Sequence, residues 1–113
     1  MNEPVTSDAP LLTGADRRHL RSLSHGLDPV VRIGASGVTE GVLSALESAL
    51  ADHELVKLRI AADRQGRRDL AAQLAEGTRS AVAGLVGQTA LLYRPARDPE
   101  DRRIALPSGK RRA

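Results

Sequence analysis

Residues 30–60, VVRIGASGVTEGVLSALESALADHELVKLRI, decide the fold. The apolar run 30–33 is a predicted strand, and so is 55–60, where apolar side chains alternate with two basic ones. Between these strands, the apolar side chains of residues 42–50 recur at the 3.6-residue period of a helix. A strand, a helix and a strand in this order predict a right-handed crossover between parallel strands.

A further helix is predicted ahead of this unit, with Thr13 as its N-cap and its end at about residue 24 or 25. Three leucines share one side of this helix at helical spacing: Leu20, Leu23 and Leu27. Its basic side carries Arg17, Arg18 and Arg21. The first helix therefore has an apolar side and a strongly basic side.

The chain after residue 60 adds a helix and a hairpin. We expect a polar connection at residues 63–66 and a helix over about residues 67–77. Predicted strands 81–86 and 89–93 are separated by Gly87-Gln88, a two-residue hairpin signal. Alternating strands and helices predict a mostly parallel sheet, to which the hairpin adds an antiparallel strand. The order αβαβαββ thus predicts one α/β domain with a four-stranded mixed sheet and three helices.

The composition excludes several classes of protein. The 113 residues include no Cys, Trp or Phe and only one Tyr. This composition excludes disulfide frameworks, thiolate zinc sites and folds that stack bases on aromatic platforms. No apolar run approaches the roughly 20 residues that cross a bilayer, and the N-terminus lacks a signal-peptide pattern. We therefore expect a cytoplasmic protein with no membrane partner.

The positive charge is concentrated near the C-terminus. The chain carries 17 basic and 14 acidic residues, a net charge of +3. Residues 94–113 hold seven of the basic and three of the acidic residues, so this part carries +4 and residues 1–93 carry −1. The net charge by itself therefore indicates little about nucleic-acid binding. Within the C-terminal part, residues 104–106 form an apolar patch that can pack back on the body.

Residues 34–37, Gly-Ala-Ser-Gly, form the sharpest local motif. Its two glycines allow a tight turn and leave the backbone open to a ligand. The next helix begins at about Glu40, so its free amides and its dipole would face a phosphate held in the loop. The carboxylate of Glu40 would compete with that anion. On these residues alone, a purely structural turn and a backbone clamp both stay open.

Motifs for catalysis, cofactors and metals are missing from the sequence. It contains no Walker A, GxGxxG or GxSxG pattern. His19, His25 and His53 do not have the spacing of metal ligands, and no acid–base pair is evident. We therefore predict a protein that is not an enzyme and that holds no cofactor or metal.

Residues 20–41, LRSLSHGLDPVVRIGASGVTEG, resemble the CRM domain (chloroplast RNA splicing and ribosome maturation) and its small bacterial YhbY-like members. Four features carry the resemblance: the Leu-x-x-Leu-x-His start, the Pro-Val-Val strand, the GxxG loop and the Val-Thr-Glu-Gly helix entry. Residues 53–60, HELVKLRI, and 87–95, GQTALLYRP, resemble the family's second and last strands. Residues 11–107 are covered. The many acidic residues and the longer ends depart from the family's pattern.

The resemblance implies an RNA-binding domain similar in fold to the C-terminal domain of bacterial translation initiation factor three. It also implies a role in maturation of large-subunit ribosome precursors, with ribosomal RNA as partner. Residues 11–107 would be the domain, between a disordered segment at 1–10 and a basic disordered tail at 108–113. The predicted RNA contacts are Gly34, Ala35, Ser36 and Gly37 in the loop, Arg17, Arg18 and Arg21 on the first helix, and Arg32, Lys57 and Arg59 on the strands.

Two other functions stay open at this point. The chain could be a protein-interaction module in ribosome assembly that acts without direct RNA contact. It could also be a small enzyme or nucleotide-binding domain that holds a free phosphate in the loop, although it lacks a base, a nucleophile and metal ligands. We favour a monomeric RNA-binding protein that recognises phosphates and RNA shape, because it has no aromatic platform for bases.

Overall fold

Three helices and four strands follow one another in the predicted order in a computed structural model, which describes residues 9–34 and 36–108. The helices are α1 (Gly14–Ser24), α2 (Glu40–His53) and α3 (Arg64–Thr78). The strands are β1 (Val31–Ile33), β2 (Leu55–Ile60), β3 (Ala81–Val86) and β4 (Thr89–Tyr93). A short 3-10 helix, Pro99–Asp101, follows. Most of the segments predicted as disordered, residues 1–8 and 109–113, lie outside the described residues.

The four strands form one mixed sheet in the order β1-β2-β4-β3. β1 and β2 are parallel, whereas β4 runs antiparallel to both β2 and β3. The predicted strand directions are therefore confirmed. The expectation of a mostly parallel sheet is wrong for the pairing, because β4 inserts between β2 and β3 and leaves one parallel pair.

One face of the sheet packs against α2 and α3. α2 contacts β1 and β2, α3 contacts β3 and β4, and the two helices contact each other. Leu46 and Leu50 of α2 and Leu74 of α3 are buried against the apolar side chains of β1, β2 and β4. This aliphatic layer is the main core, and burying each leucine stabilises the fold by about 2 kcal/mol.

The other face of the sheet is only partly covered. Leu20 of α1 is fully buried there against Leu55, Leu91 and Tyr93. The predicted apolar patch at residues 104–106 also packs into this cluster, through Ile104 and Leu106. α1 therefore covers the half of this face that adjoins the start of β2.

Of the three leucines that share the apolar side of the first helix, only Leu20 is fully buried. Leu23 and Leu27 remain 41% and 37% exposed. α1 ends at Ser24, so Leu27 lies beyond the helix and does not continue its apolar stripe. Only Leu20 is placed over the sheet by the helical period.

α3 begins three residues before the predicted position. Asp63 caps it, since an oxygen of the Asp63 carboxylate accepts a hydrogen bond of 2.7 Å from the backbone N–H of Gly66. The predicted polar connection at residues 63–66 is therefore the N-cap and first turn of the helix. Aspartate at the N-cap stabilises a helix enough to include a glycine in that turn.

The buried carboxylate of Glu54 holds the C-terminal segment, residues 94–108, against the sheet. Glu54 is 2% exposed and follows α2 with a left-handed φ of 66°. Its oxygens accept hydrogen bonds from the backbone N–H groups of Ala96, Arg103 and Ile104, at 2.7, 2.8 and 3.1 Å. The peptide N–H groups thus compensate a carboxylate that burial would otherwise destabilise.

A second buried carboxylate, Asp16, joins the C-terminal segment to α1. It completes a capping box with Thr13 and accepts hydrogen bonds from the backbone N–H and hydroxyl of Ser108, at 3.0 and 2.6 Å. Burial opposes ionisation of Asp16, but the hydrogen bonds from Ser108 and Thr13 lower its pKa to about 2. Ser108, which the sequence assigns to the tail, is therefore bound to the body.

Candidate functional site

The loop at residues 34–37 is a tight turn with an exposed start. The backbone N–H of Gly37 donates to the carbonyl of Gly34 at 3.0 Å. Gly37 has a φ of +67°, in the left-handed region that favours glycine, and a Cβ there would lie 3.9 Å from Leu70 of α3. A Cβ on Gly34 would have no neighbour within 4 Å. Gly37 therefore shapes the turn, while Gly34 leaves space in front of the backbone.

The N-terminus of α2 adjoins this loop. Thr39 is the N-cap, and its hydroxyl accepts a hydrogen bond of 3.1 Å from the backbone N–H of Val42. Glu40 lies in the first turn and is exposed. A negative side chain in the first turn of a helix is favourable to the helix and unfavourable to a second anion. The geometry thus includes the competing carboxylate that the sequence predicts.

Arg32 and Arg59 lie side by side on the uncovered part of the sheet, here named the open face. They are paired in the parallel register of β1 and β2, and both side chains are exposed. The Arg59 guanidinium donates a 3.1 Å hydrogen bond to the side chain of Gln88, in the turn between β3 and β4. Two guanidinium groups on neighbouring strands make the open face basic.

Lys57 has a different environment from the two arginines. Its ammonium group donates to the carbonyls of Ser24 and Leu27, at 3.5 and 3.3 Å. Lysine near a helix C-terminus compensates carbonyls that have no partner in the helix. Lys57 therefore holds the end of α1 on the sheet. Its place on the polar side of the strand pattern indicates a freely exposed cation instead.

The basic side of α1 borders the open face. The methylene chain of Arg21 crosses β3, where a Cβ on Gly84 would lie 3.0 Å from Arg21 Cδ. Arg17 and Arg18 lie one turn earlier and are exposed. The guanidinium groups of Arg17, Arg18 and Arg21 make no hydrogen bond or ion pair with any residue that the structure describes.

Three connections meet at one edge of the sheet, here named the loop edge. They are the loop 34–37 after β1, the connection 61–63 after β2 and the turn 87–88 between β3 and β4. Backbone hydrogen bonds join them, from Ala61 N–H to the Ile33 carbonyl and from Ile60 N–H to the Gln88 carbonyl. The loop edge thus adjoins the end of the open face that carries Arg32 and Arg59. Ala35, also a predicted contact, lies outside the described residues.

The single tyrosine takes no part in this surface. Tyr93 is 2% exposed and belongs to the cluster under α1. Burial, with the nearby negative charge of Glu54, raises its pKa to about 12. A base could not stack on this ring without unfolding the core, so the described surface offers guanidinium groups as its charged ligands.

Neither a cluster of metal-ligand residues nor a membrane-spanning helix is found among the described residues. Between residues 9 and 108, apart from 35, no three His, Asp or Glu side chains gather as metal ligands would. None of the helices in the same part of the chain has the length and apolar character to span a bilayer.

A cleft of about 1200 Å³ lies beside Glu54 and the C-terminal segment, away from the loop. Two of its charged side chains are bonded to each other. Arg94 forms a bidentate ion pair with Glu47, at 2.8 and 2.9 Å, and also donates to the carbonyl of Thr78. The hydrogen bond from Arg94 lowers the pKa of Glu47. This cleft joins the ends of α2, α3 and β4.

Sequence reasoning missed the arginines at the start of α3. Arg64, Arg67 and Arg68 occupy its first two turns, and α3 begins at the loop edge. Placing the helix start at residue 67 assigned the first of them to a connection. Asp63, a residue type favoured at the N-cap, was the signal that could have located them.

Comparisons with known proteins agree with this architecture. The family model for the CRS1 / YhbY (CRM) domain matches residues 12–94. An "RNA-binding protein" of Haemophilus influenzae is 38% identical over 97 residues, which cover 85% of this chain and 95% of that protein. "Probable RNA-binding protein PA4753" of Pseudomonas aeruginosa is 43% identical over 84 residues, covering 74% of this chain and 81% of that protein.

A solved structure has the same fold. The solution structure of the hypothetical protein SAV1595 from Staphylococcus aureus, a candidate RNA-binding protein, superposes with a TM-score of 0.73 at 30% identity. The match covers 84% of this chain and all of that one. The three helices, the mixed sheet and the family match lead to one conclusion: the chain belongs to the CRS1/YhbY (CRM) domain family.

Proposed function

We propose that this protein binds RNA along the loop edge and the open face. The observation that carries the proposal is that exposed guanidinium groups without protein partners, such as Arg32, surround a glycine loop with open space at Gly34. Phosphate oxygens are the ligands that backbone amides and guanidinium groups share. The RNA-binding names of the relatives support the same partner.

In this mechanism the RNA backbone lies in front of Gly34, where the turn leaves open space. Arg32 and Arg59 neutralise a neighbouring phosphate from the sheet, and Arg21 with Arg17 does so from α1. Because Tyr93 is buried, bases are not stacked, and recognition depends on phosphates and on RNA shape. The protein therefore binds with weak sequence preference.

The proposed biological role is maturation of a precursor of the large ribosomal subunit, carried out by a monomer in the cytoplasm without enzymatic activity. Membership of the CRM family supports this role. A module that contacts only proteins is the alternative function. Binding of naked ribosomal RNA by the purified protein separates the two, since the alternative predicts no binding.

The salt dependence of binding tests the electrostatic mechanism. If about four phosphates of single-stranded RNA are neutralised, the logarithm of the affinity should fall against the logarithm of salt concentration with a slope of about −2.8. A fourfold rise in salt would then weaken binding about 50-fold. A slope near zero in a filter-binding or anisotropy titration would contradict the mechanism.

Gly34 allows a test that leaves the fold intact. Gly34→Leu places a side chain in open space on the path of the RNA, so affinity should fall at least tenfold while the melting temperature is unchanged. Gly26→Leu is the matched control, because a Cβ on Gly26 also has no neighbour within 4 Å and lies beyond the far end of α1. Equal losses in both variants would contradict a role for the loop.

Crosslinking in cells followed by sequencing of the bound RNA tests the proposed partner. Ribosomal RNA of the large subunit should be enriched over other RNAs. The same experiment with a chain that ends after Ser108 measures the contribution of the basic tail without losing the bonds to Asp16. Enrichment of unrelated RNAs alone would reject the ribosomal assignment.

A further inference from the structure

The arginines at the start of α3 are poorly explained by the stability of the helix. Arg64 and Arg68 are exposed and one turn apart. Their guanidinium groups have no hydrogen bond or ion pair with the described residues. Like charges at this spacing repel, and cations near a helix N-terminus are unfavourable with its dipole. Both effects are relieved when an anion binds, so the two side chains are suited to an external anion.

The neighbouring charged side chains have other hydrogen-bond partners and form no ion pair with Arg64 or Arg68 among the described residues. The Asp63 carboxylate accepts from the backbone N–H of Gly66, and the Asp69 carboxylate accepts from the side-chain amide of Gln65 at 2.9 Å. The guanidinium of Arg67 donates to the carbonyl of Ala62 and so holds the connection in place. Arg64 and Arg68 are left as the exposed cations of these two turns.

Arg64 lies at the loop edge because of the strand register. Ile33 and Ile60 are paired in β1 and β2, so the loop that follows the first and the helix that follows the second begin at the same edge. Arg64 is four residues beyond Ile60. Its side chain is therefore on the edge that also carries loop 34–37.

The two arginines nevertheless lie on a different side of α3 from the loop. Leu70 approaches Gly37, and Gly77 approaches Leu43 of α2, so these residues mark the side of α3 that faces α2. At 3.6 residues per turn, Arg64 and Arg68 lie about 120° and 160° around the helix from Leu70. They therefore face away from α2, above the strands that α3 covers.

The sheet order sets the distance between the loop and this pair. The loop follows β1 at one side of the sheet, and α3 lies over β4 and β3 at the other. With strands about 4.8 Å apart, two to three strand intervals separate the two places by about 10 to 14 Å. The arginine pair is thus too far from the loop to share the phosphate bound there. It is near enough to bind another phosphate of the same RNA strand.

We infer that Arg64 and Arg68 form a second phosphate-binding site. The bound RNA then continues from the loop across the edge of the sheet to the outer side of α3. This inference rests on the proposed function of the loop edge. It assigns the two arginines to the sugar–phosphate backbone of the same RNA and predicts that they carry no base specificity.

The test compares two variants that remove equal charge. In Arg64→Gln/Arg68→Gln, the salt slope for a single-stranded RNA of about 12 nucleotides should become about 1.4 less steep, since two contacts are lost. For an RNA of about 4 nucleotides, which covers the loop alone, the affinity should be unchanged. The control is Arg97→Gln/Arg103→Gln, whose residues are exposed in the C-terminal segment. Circular dichroism and melting temperature verify that both variants are folded.

Five outcomes would overturn the inference. The slopes of the two double variants could be equal, or the short RNA could lose as much affinity as the long one. The α3 variant could lose binding to an acidic peptide such as polyglutamate and none to RNA, which would assign the pair to a protein partner. A wild-type protein without RNA binding would overturn both proposals, whereas wild-type binding that requires Gly34 but not Arg64 and Arg68 would overturn this one alone.

Discussion

Charged side chains at the two edges of the sheet differ in whether they are bonded within the protein. At the edge where β2 begins, Glu54 and Arg94 are bonded to peptide groups or to an opposite charge. At the loop edge, Arg32 and Arg64 are exposed and have no partner among the described residues. The bonded charges hold helices, strands and the C-terminal segment together, so they contribute to stability. The exposed charges leave their hydrogen-bonding capacity for a ligand. This difference shows that a charged side chain contributes to stability or is available to a ligand according to its bonds in the folded protein. Its position in the sequence does not indicate which.

The largest expected effect on this contrast comes from Glu54. Glu54→Ala leaves three backbone N–H groups of the C-terminal segment without their acceptor, and we expect a loss of about 3 kcal/mol in the free energy of unfolding. Urea denaturation measures this loss. RNA affinity of the folded protein should be unchanged. A loss below about 1 kcal/mol would show that water replaces the carboxylate.

Asp16 should give the next largest effect, and one that depends on pH. Its pKa is lowered to about 2 by hydrogen bonds in the folded protein, so the ionised form contributes about 2 kcal/mol above pH 4. That contribution is lost as the pH falls from about 4 towards 2. The stability difference between wild type and Asp16→Asn, measured by urea denaturation, should narrow over this range. A difference that is constant with pH would contradict the role of the charge.

Gly37 tests how far the loop itself depends on backbone conformation. Its φ of +67° disfavours a side chain, so Gly37→Ala should lower the free energy of unfolding by about 1 kcal/mol. Gly34→Ala, without a positive φ, should change it by less than about 0.5 kcal/mol. Thermal denaturation compares the two. Equal losses would mean that the turn does not require the left-handed conformation at Gly37.

The smallest expected effect has opposite signs for stability and binding. Glu40→Gln removes a first-turn carboxylate, which should reduce stability by about 0.5 kcal/mol. The same change should strengthen RNA binding about threefold, since an exposed like charge near the phosphate is lost. Anisotropy titration at low salt measures the gain. Unchanged or weaker binding would place the RNA away from the start of α2.

Local patterns predicted most elements because their spacing is short-range. The alternation in residues 55–60 and the stripe of α2 are periodic over less than fifteen residues, and both elements are confirmed. The start of α3 was missed because Gly66 is typical of a connection, and the cap at Asp63 overrides it. Leu23 and Leu27 have helical spacing with Leu20 but stay partly exposed, because a periodic pattern carries no information about where the sheet ends beneath α1.

The sequence by itself determined the order of elements, the glycine loop, the basic side of α1 and the aliphatic core, since each depends on residues close together in the chain. Only the tertiary structure decided that β4 lies between β2 and β3, that Lys57 holds α1, and that Glu54 and Asp16 hold residues 42 to 92 positions away. The physical reason is that strand order and burial arise from contacts among distant segments. Such contacts also decide which charges are bonded within the protein and which are left for RNA.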